Sequence, residues 1–223
     1  MSQMQKVGVT CPKCQHKGEY ERWDSINVTL DPEMEEKVYS GQAFLWKCPA
    51  CGAQYYLPYD TLYHDMKNKF MIFFFRDAPE ADQRYQPTGL PDVSSFDEAY
   101  RFRVVYNDFY ALQEKILIFH LGLNDVVIER LKYMITHEVD PSYSEKGIKL
   151  FFAGTTDPDK EDQYGRLKFN CEGPNGENMG SISIPMLRYH QLVVSMKDDT
   201  RFAVPCWMSV DEGWIAAKLQ EEE

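Results

Sequence analysis

The sequence has no surplus of basic charge: 24 Lys and Arg stand against 35 Asp and Glu, a formal net charge of −11. Nucleic-acid binders draw most of their non-specific affinity from clustered Lys and Arg that release counterions from phosphates, so this balance argues against DNA or RNA as a partner. Residues 1–76 are balanced at 9 basic against 9 acidic, while 77–138 and 139–223 are both acidic. A small basic group, Lys6, Lys13, Lys17 and Arg22, is interrupted by Glu19 and Glu21 and reads as a solvated surface. Long apolar runs are missing too. The longest, Phe70 to Phe75, is six residues, against the roughly 20 a membrane helix needs, and the polar start Met1 to Thr10 lacks the apolar stretch of a signal peptide. The expectation is a cytoplasmic protein with no membrane contact. Familiar catalytic signatures are absent: there is no Gly-rich phosphate loop, His-Glu-x-x-His helix or Gly-x-Ser-x-Gly elbow.

Cysteine is scarce, 6 in 223 residues, but four of the six fall in two short motifs, Cys11-Pro12-Lys13-Cys14 and Cys48-Pro49-Ala50-Cys51. Each Cys-x-x-Cys turn brings two sulfurs to one side, and two such pairs close a tetrahedron around one metal ion with no position left open. The motifs predict a structural zinc site with Cys11, Cys14, Cys48 and Cys51 as ligands. The same pattern serves redox chemistry where it occurs once, at the end of a strand in a βαβ unit. Here it occurs twice, with Gly18 and Gly52 nearby as turn residues. His16 lies close enough to be a ligand, yet four thiolates already complete the shell. The remaining cysteines, Cys171 and Cys206, are far apart in sequence and are expected to be shielded core thiols.

The 33 residues between the two motifs exceed the usual spacing of a compact ribbon. Asp31 as N-cap, Pro32 in the first turn, acids Glu33, Glu35 and Glu36 and a closing Gly41 make Pro32 to Ser40 a helical excursion. Strands are expected at Tyr20 to Leu30, Ala43 to Lys47, Gln54 to Pro58, Phe70 to Phe75 and Arg101 to Tyr106, with a helix around Asp60 to Lys67. Residues 77–98, rich in Asp, Pro and Ser, read as a loop or linker. Phe109, Leu112, Ile116 and Phe119 form one helical stripe ended by Gly122, and Asn124 caps a second helix to about Thr136, giving an αα-hairpin. Strands at Ile148 to Ala153, Arg166 to Cys171 and Gly180 to Ile184 follow, separated by turns such as Asp157-Pro158-Asp159. Helices at Pro185 to Met196 and Val210 to Leu219 precede an acidic tail, Glu221 to Glu223. The fold class is α+β: a zinc-ribbon-like antiparallel sheet with a helical insertion and αα-hairpin over 1–138, and a small α+β domain over 139–223.

Beyond the cysteines and Gly52, the segments Asp31-Pro32-Glu33, Gly41 and Leu62-Tyr63-His64-Asp65 resemble the CpXC domain family of bacteria and archaea. So do Leu112-Gln113-Glu114-Lys115-Ile116, Leu123-Asn124-Asp125 and Glu129. The resemblance spans about residues 5 to 136. It implies a zinc-binding domain and no particular chemistry.

Catalytic candidates are few. His64 beside Asp65 could be half of an acid/base pair, with Glu114 or Glu129 as a carboxylate, but a structural hydrogen bond accounts for His64 more simply. Cys206, between Pro205 and Trp207, has no basic neighbour to activate it. The reading is therefore a non-enzymatic, zinc-stabilised interaction or scaffold protein. It would present Trp46, Tyr55, Tyr56 and Tyr59 to a protein partner or a second copy of itself; the competing view makes those rings interior. A nucleic-acid-binding zinc ribbon is the alternative, and an enzyme built around His64 comes third.

Overall fold

The computed structural model describes residues 2–158 and 163–221; the expected turn at Asp159 and the tail residues Glu222 and Glu223 lie outside them. The chain divides into two compact units. One comprises Met1–Leu112 with Cys206–Met208, and the other Gln113–Pro205 with Ser209–Glu223. Helices and three sheets together make the class α+β, as the sequence indicates.

The first unit is organised by strands β1 (Gln3–Thr10), β2 (Lys17–Asn27), β5 (Thr61–Asp65), β6 (Phe70–Phe75) and β7 (Arg101–Tyr106), paired in the order β1-β2-β5-β6-β7. Its joins are mixed: β2 with β5 and β6 with β7 are parallel, the others antiparallel. Two further strands, β3 (Leu45–Lys47) and β4 (Gln54–Tyr56), form a separate antiparallel hairpin. Between β2 and β3 runs helix α1 (Glu33–Tyr39), the excursion that lengthens the cysteine spacing; it buries Met34 and Val38. Gly41, left-handed at φ 78°, turns the chain out of it, and a Cβ there would stand 3.2 Å from the ring of Phe109.

Strand β6 is apolar on both faces because both are covered. Phe74 on one side meets Phe44, whose ring also contacts Tyr59, Phe109 and Tyr56. On the other side Met71 joins Phe102, Val104, Tyr106 and Trp207, with Phe73 and Phe75 packed against them. Leu90, Val93 and Phe96 from the irregular segment 77–100 pack on the same cluster, and Trp207 Nε1 donates to the Pro91 carbonyl at 2.9 Å. Both edges of β6 are paired, so none is open to another chain.

Residues 61–65 are a strand and not the expected helix. Their burial alternates, with Thr61, Tyr63 and Asp65 inward, and β2 and β6 take up their backbone groups on either side. A tight turn follows, in which Asp65 Oδ1 accepts from Asn68 N at 2.9 Å and Lys69 is left-handed at φ 54°. The sheet partners override the weak helical pattern of this short segment. Cys206 also departs from expectation. It is exposed, because Trp207 takes the inward position and Met208 pairs with Arg103. Cys171 is buried, and burial pushes its thiol up from the ordinary range.

In the second unit, β8 (Lys149–Thr155), β9 (Arg166–Glu172) and β10 (Asn178–Pro185) form an antiparallel sheet in the order β10-β9-β8. It buries Leu150, Phe152, Leu167 and Phe169. Helix α2 (Phe109–His120) begins in the first unit and ends in the second. It is followed by α3 (Asp125–Tyr133), which Asn124 caps by accepting from Val126 N at 3.0 Å. Short α4 (Ser142–Glu145), α5 (Met186–Met196) and α6 (Glu212–Gln220) complete the unit.

Helices α2 and α3 are joined by buried charge. Lys115 Nζ lies 3.2 Å from Asp125 and 3.1 Å from Glu129, and Lys132 Nζ lies 3.1 Å from Glu114 and 3.0 Å from Glu129. Glu114 Oε1 also accepts from Phe152 N at 2.6 Å, tying the pair of helices to β8. Burial pushes the Glu114 carboxyl up and would push both lysines down, but the surrounding carboxylates outweigh it for Lys115 and Lys132, which are held above the usual ammonium range. Such a cluster adds little net stability over apolar packing, yet removing one member leaves an uncompensated charge. Lys132→Met is therefore expected to cost about 3–5 kcal/mol in urea unfolding. Because the lysines are raised on folding, their contribution should be complete below the unfolded lysine pKa of about 10.4 and decline as the pH rises beyond it.

Candidate metal centre

Each Cys-x-x-Cys segment folds into the same turn. In the first, Cys11 N donates to the His16 carbonyl at 2.8 Å and Gln15 N donates to the Cys11 carbonyl at 2.9 Å. In the second, Cys48 N donates to the Ala53 carbonyl at 2.8 Å and Gly52 N to the Cys48 carbonyl at 2.9 Å. The residue four places after the leading cysteine is left-handed in both, Gln15 at φ 60° and Gly52 at φ 71°. Glycine takes this conformation without a steric penalty. Gln15 holds it with a side-chain bond from Nε2 to the Pro12 carbonyl at 3.3 Å. Aligning the two motifs on their cysteines would have identified Gln15 as the counterpart of Gly52; Gly18, expected as the first turn residue, instead clears room for Trp46, whose Cζ2 would lie 3.0 Å from an added Cβ.

The two turns are brought together by β1–β2 pairing on one side and the β3–β4 hairpin on the other. Trp46 joins them, donating from Nε1 to the Glu19 carbonyl at 3.0 Å. The four cysteine sulfurs then lie within 4.8 Å of one another, with Cys11–Cys51 and Cys14–Cys48 both at 3.7 Å. A disulfide needs about 2.05 Å, and all four cysteines are free. A tetrahedron of sulfurs at the 2.3 Å zinc–thiolate distance has an edge of about 3.8 Å, so the spacing fits a metal ion bound by four thiolates. Soft thiolate sets of this kind select zinc, copper(I) or iron–sulfur centres. Cys11 and Cys48 are buried, Cys51 is half-buried and Cys14 is exposed.

Electrostatics favour a cation at the centre. Burial opposes ionisation of Cys11, but the backbone N–H groups of Cys14 and Lys13 and the Tyr55 hydroxyl, 3.8 Å from Sγ, outweigh it and draw this thiol down to about 6. At Cys14 a backbone hydrogen bond at His16 favours the thiolate, yet burial and the sulfurs of Cys51, Cys11 and Cys48 prevail and push it up to about 12. Four thiolates cannot coexist so closely without a positive ion between them, and a bound cation reverses that repulsion. Tyr55, which the sequence places among partner-facing aromatics and not beside the cysteines, is positioned by stacking on Trp46 at 6.1 Å.

The other sequence candidates lie elsewhere. His64 is half-buried in β5, its Nε2 3.1 Å from the Tyr100 hydroxyl and its Nδ1 3.5 Å from Asn27 Nδ2. Burial lowers its pKa, and its neighbours Phe96 and Tyr100 make it a tether for the irregular segment. Glu114 and Glu129 belong to the buried ionic cluster. Trp46 and Tyr59 are buried at 5% exposure each, leaving Tyr56, at 46%, as the exposed ring of the expected aromatic surface.

Two outcomes test this centre. Replacing Cys48 by Ser, or stripping the metal with a chelator, should release fast amide exchange across residues 1–60, because site binding energies of about 10–16 kcal/mol couple directly to folding. Gly52→Ala should cost about 1–2 kcal/mol from the left-handed backbone alone, since no atom lies within 4 Å of the added Cβ; a lowered midpoint of chelator-driven metal loss would register it.

No curated protein and no solved structure matches the chain. The family model for the CpXC protein matches residues 9–132, which include both cysteine motifs, the helical excursion between them and the acidic and basic residues of the buried cluster. More than half of the chain falls within that match, and the protein belongs to the CpXC family.

Proposed function

We propose that the four cysteines bind one structural Zn²⁺ and that the first unit is a zinc-stabilised module for binding another protein. The donor set supports zinc: four thiolates leave no open position for substrate or water, the arrangement of structural rather than catalytic zinc.

The observation that carries the protein-binding reading is an exposed apolar pair on the metal-stapled hairpin. Leu45 and Tyr56 face each other across β3 and β4 and are 40% and 46% exposed. Cross-strand pairs of this type usually face a core; here one side of the Tyr56 ring rests on Phe44 and Phe109 while the rest stays open beside Leu45, a fixed apolar patch that favours recognition by a partner's apolar groove. Strand Phe70–Phe75, paired along both edges, offers no open edge for strand addition by a second copy.

Charge weighs against nucleic acid. Within the small basic group, Lys6 lies 3.6 Å from Glu19 and Arg22 3.0 Å from Asp24, so two of its four charges are already balanced. The full-length protein is expected to capture a protein partner from native cytosol, and Leu45→Asp with Tyr56→Asp should abolish that capture while zinc content stays at one per chain. Retention of random DNA or RNA at physiological salt, with capture unaffected by the double substitution, would replace this reading with the nucleic-acid one.

A further inference from the structure

A second set of polar side chains converges in the second unit, remote in sequence from the cysteines and unused by the metal centre. After α3 the chain makes a π-helical turn, Met134–Val139, a distortion that recurs at functional sites. It sets Thr136 and His137 together against Glu212 in the first turn of α6. Thr136 Oγ1 donates to Glu212 Oε1 at 2.7 Å, and His137 Nδ1 lies 2.9 Å from Thr136 Oγ1 and 3.2 Å from the same carboxylate oxygen. On the far side of the ring, His137 Nε2 lies 3.2 Å from Ser144 Oγ. The imidazole is held flat against Tyr133, with ring centroids 4.2 Å apart and planes 8° from parallel.

The hydrogen-bond pattern selects the tautomer. Besides the ring, Thr136 Oγ1 has oxygen acceptors for its single hydrogen, Glu212 Oε1 at 2.7 Å and the Lys132 carbonyl at 3.0 Å, so both side-chain oxygens beside Nδ1 accept, and they hold the imidazole proton there. The Nε2 lone pair is left facing the Ser144 hydroxyl. A hydroxyl in reach of an unprotonated ring nitrogen, with the opposite nitrogen fixed by a carboxylate, is the arrangement that activates a serine. Ser144 is exposed, as a nucleophile must be, whereas Thr136 is buried and His137 and Glu212 are each about one-third exposed.

We propose that Ser144, His137 and Glu212 form a nucleophilic serine site that hydrolyses small neutral carboxylic esters. Ser144 Oγ attacks the ester carbonyl while its proton passes to His137 Nε2. The carbonyl–alkoxy bond breaks and the alcohol leaves with that proton. Water then attacks the acyl-serine, losing a proton to the same nitrogen, and the acid departs as Ser144 recovers its hydrogen. Glu212 and Thr136 touch no reacting atom and are positioning residues. Neutral substrates are favoured because Asp140 and Glu145 lie exposed on the same short stretch of chain with Lys146 as its exposed cation, the charge of Glu138 being balanced by Arg130 at 2.9 Å. An anionic ester would be repelled.

The test is a fluorophosphonate probe on the full-length, metal-loaded protein, read by intact mass and peptide mapping. One adduct per chain at Ser144 is expected. It should be lost in Ser144→Ala, an exposed substitution whose unchanged thermal melt would certify the fold. His137→Gln keeps the hydroxyl but removes the base, and should slow labelling at least about 100-fold. Glu212→Gln should slow it at least about 10-fold with an unaltered melt, a change a purely structural carboxylate would not cause. Turnover of p-nitrophenyl acetate should fall in parallel. A folded wild-type protein that stays unmodified after prolonged exposure, or an adduct that persists in Ser144→Ala, overturns the proposal. Neither result bears on the zinc or on partner capture, so this site and the binding module stand or fall separately.

Discussion

Four sulfurs at tetrahedral spacing are the constraint on which the first unit depends. The two knuckles sit at the ends of different hairpins, β1–β2 and β3–β4, and the strands near them are short or exposed. Strand β3 is three residues long and β1 buries none of its side chains. Two such ribbons bury too little apolar surface to offset the entropy of ordering them. Without a cation the sulfurs would also repel as they ionise, the tension visible in the opposed displacements of Cys11 and Cys14. A metal ion held by the four sulfurs would remove the repulsion and fix the hairpins in one step. Trp46 and Tyr55 then act as its supports, one locking the ribbons together and the other offering its hydroxyl to Cys11.

The second unit solves a comparable problem with salt bridges. Helices α2 and α3 carry Glu114, Lys115, Asp125, Glu129 and Lys132 on facing sides, all buried. Their pairing fixes register more than it adds stability, because only one alignment satisfies two ammonium groups with three carboxylates. The match to the CpXC family reaches through this cluster to residue 132. The family pattern thus covers two devices, a four-cysteine cluster spaced for a metal ion and an ionic lock, each of which specifies an arrangement that apolar packing alone would leave loose.

How much of this was legible in the sequence follows from the range of the interactions. Cys-x-x-Cys spacing, the capped start of α3 at Asn124 and the two-sided apolar strand Phe70–Phe75 are local patterns with local causes, and each is present where the sequence places it. Thr61–Asp65 could not be read, because five residues of weak pattern become a strand only when β2 and β6 flank them. Tyr59 and Trp46 resemble surface aromatics until the ring of Phe44 and the backbone of Glu19 are brought against them. Periodicity shows Lys132 three residues after Glu129 but says nothing of their burial. The grouping of Ser144, His137 and Glu212 is the extreme case: α6 approaches the π-turn from the far end of the chain, and no motif spans that distance.

The claim most open to direct contradiction is the identity and coordination of the ion. X-ray absorption at the zinc edge, on protein purified without added metal, measures both at once. The account predicts one zinc per chain with four sulfur neighbours at about 2.3 Å and no nitrogen or oxygen in the first shell. A spectrum showing mixed sulfur and oxygen ligands, or no zinc in folded protein, would contradict it.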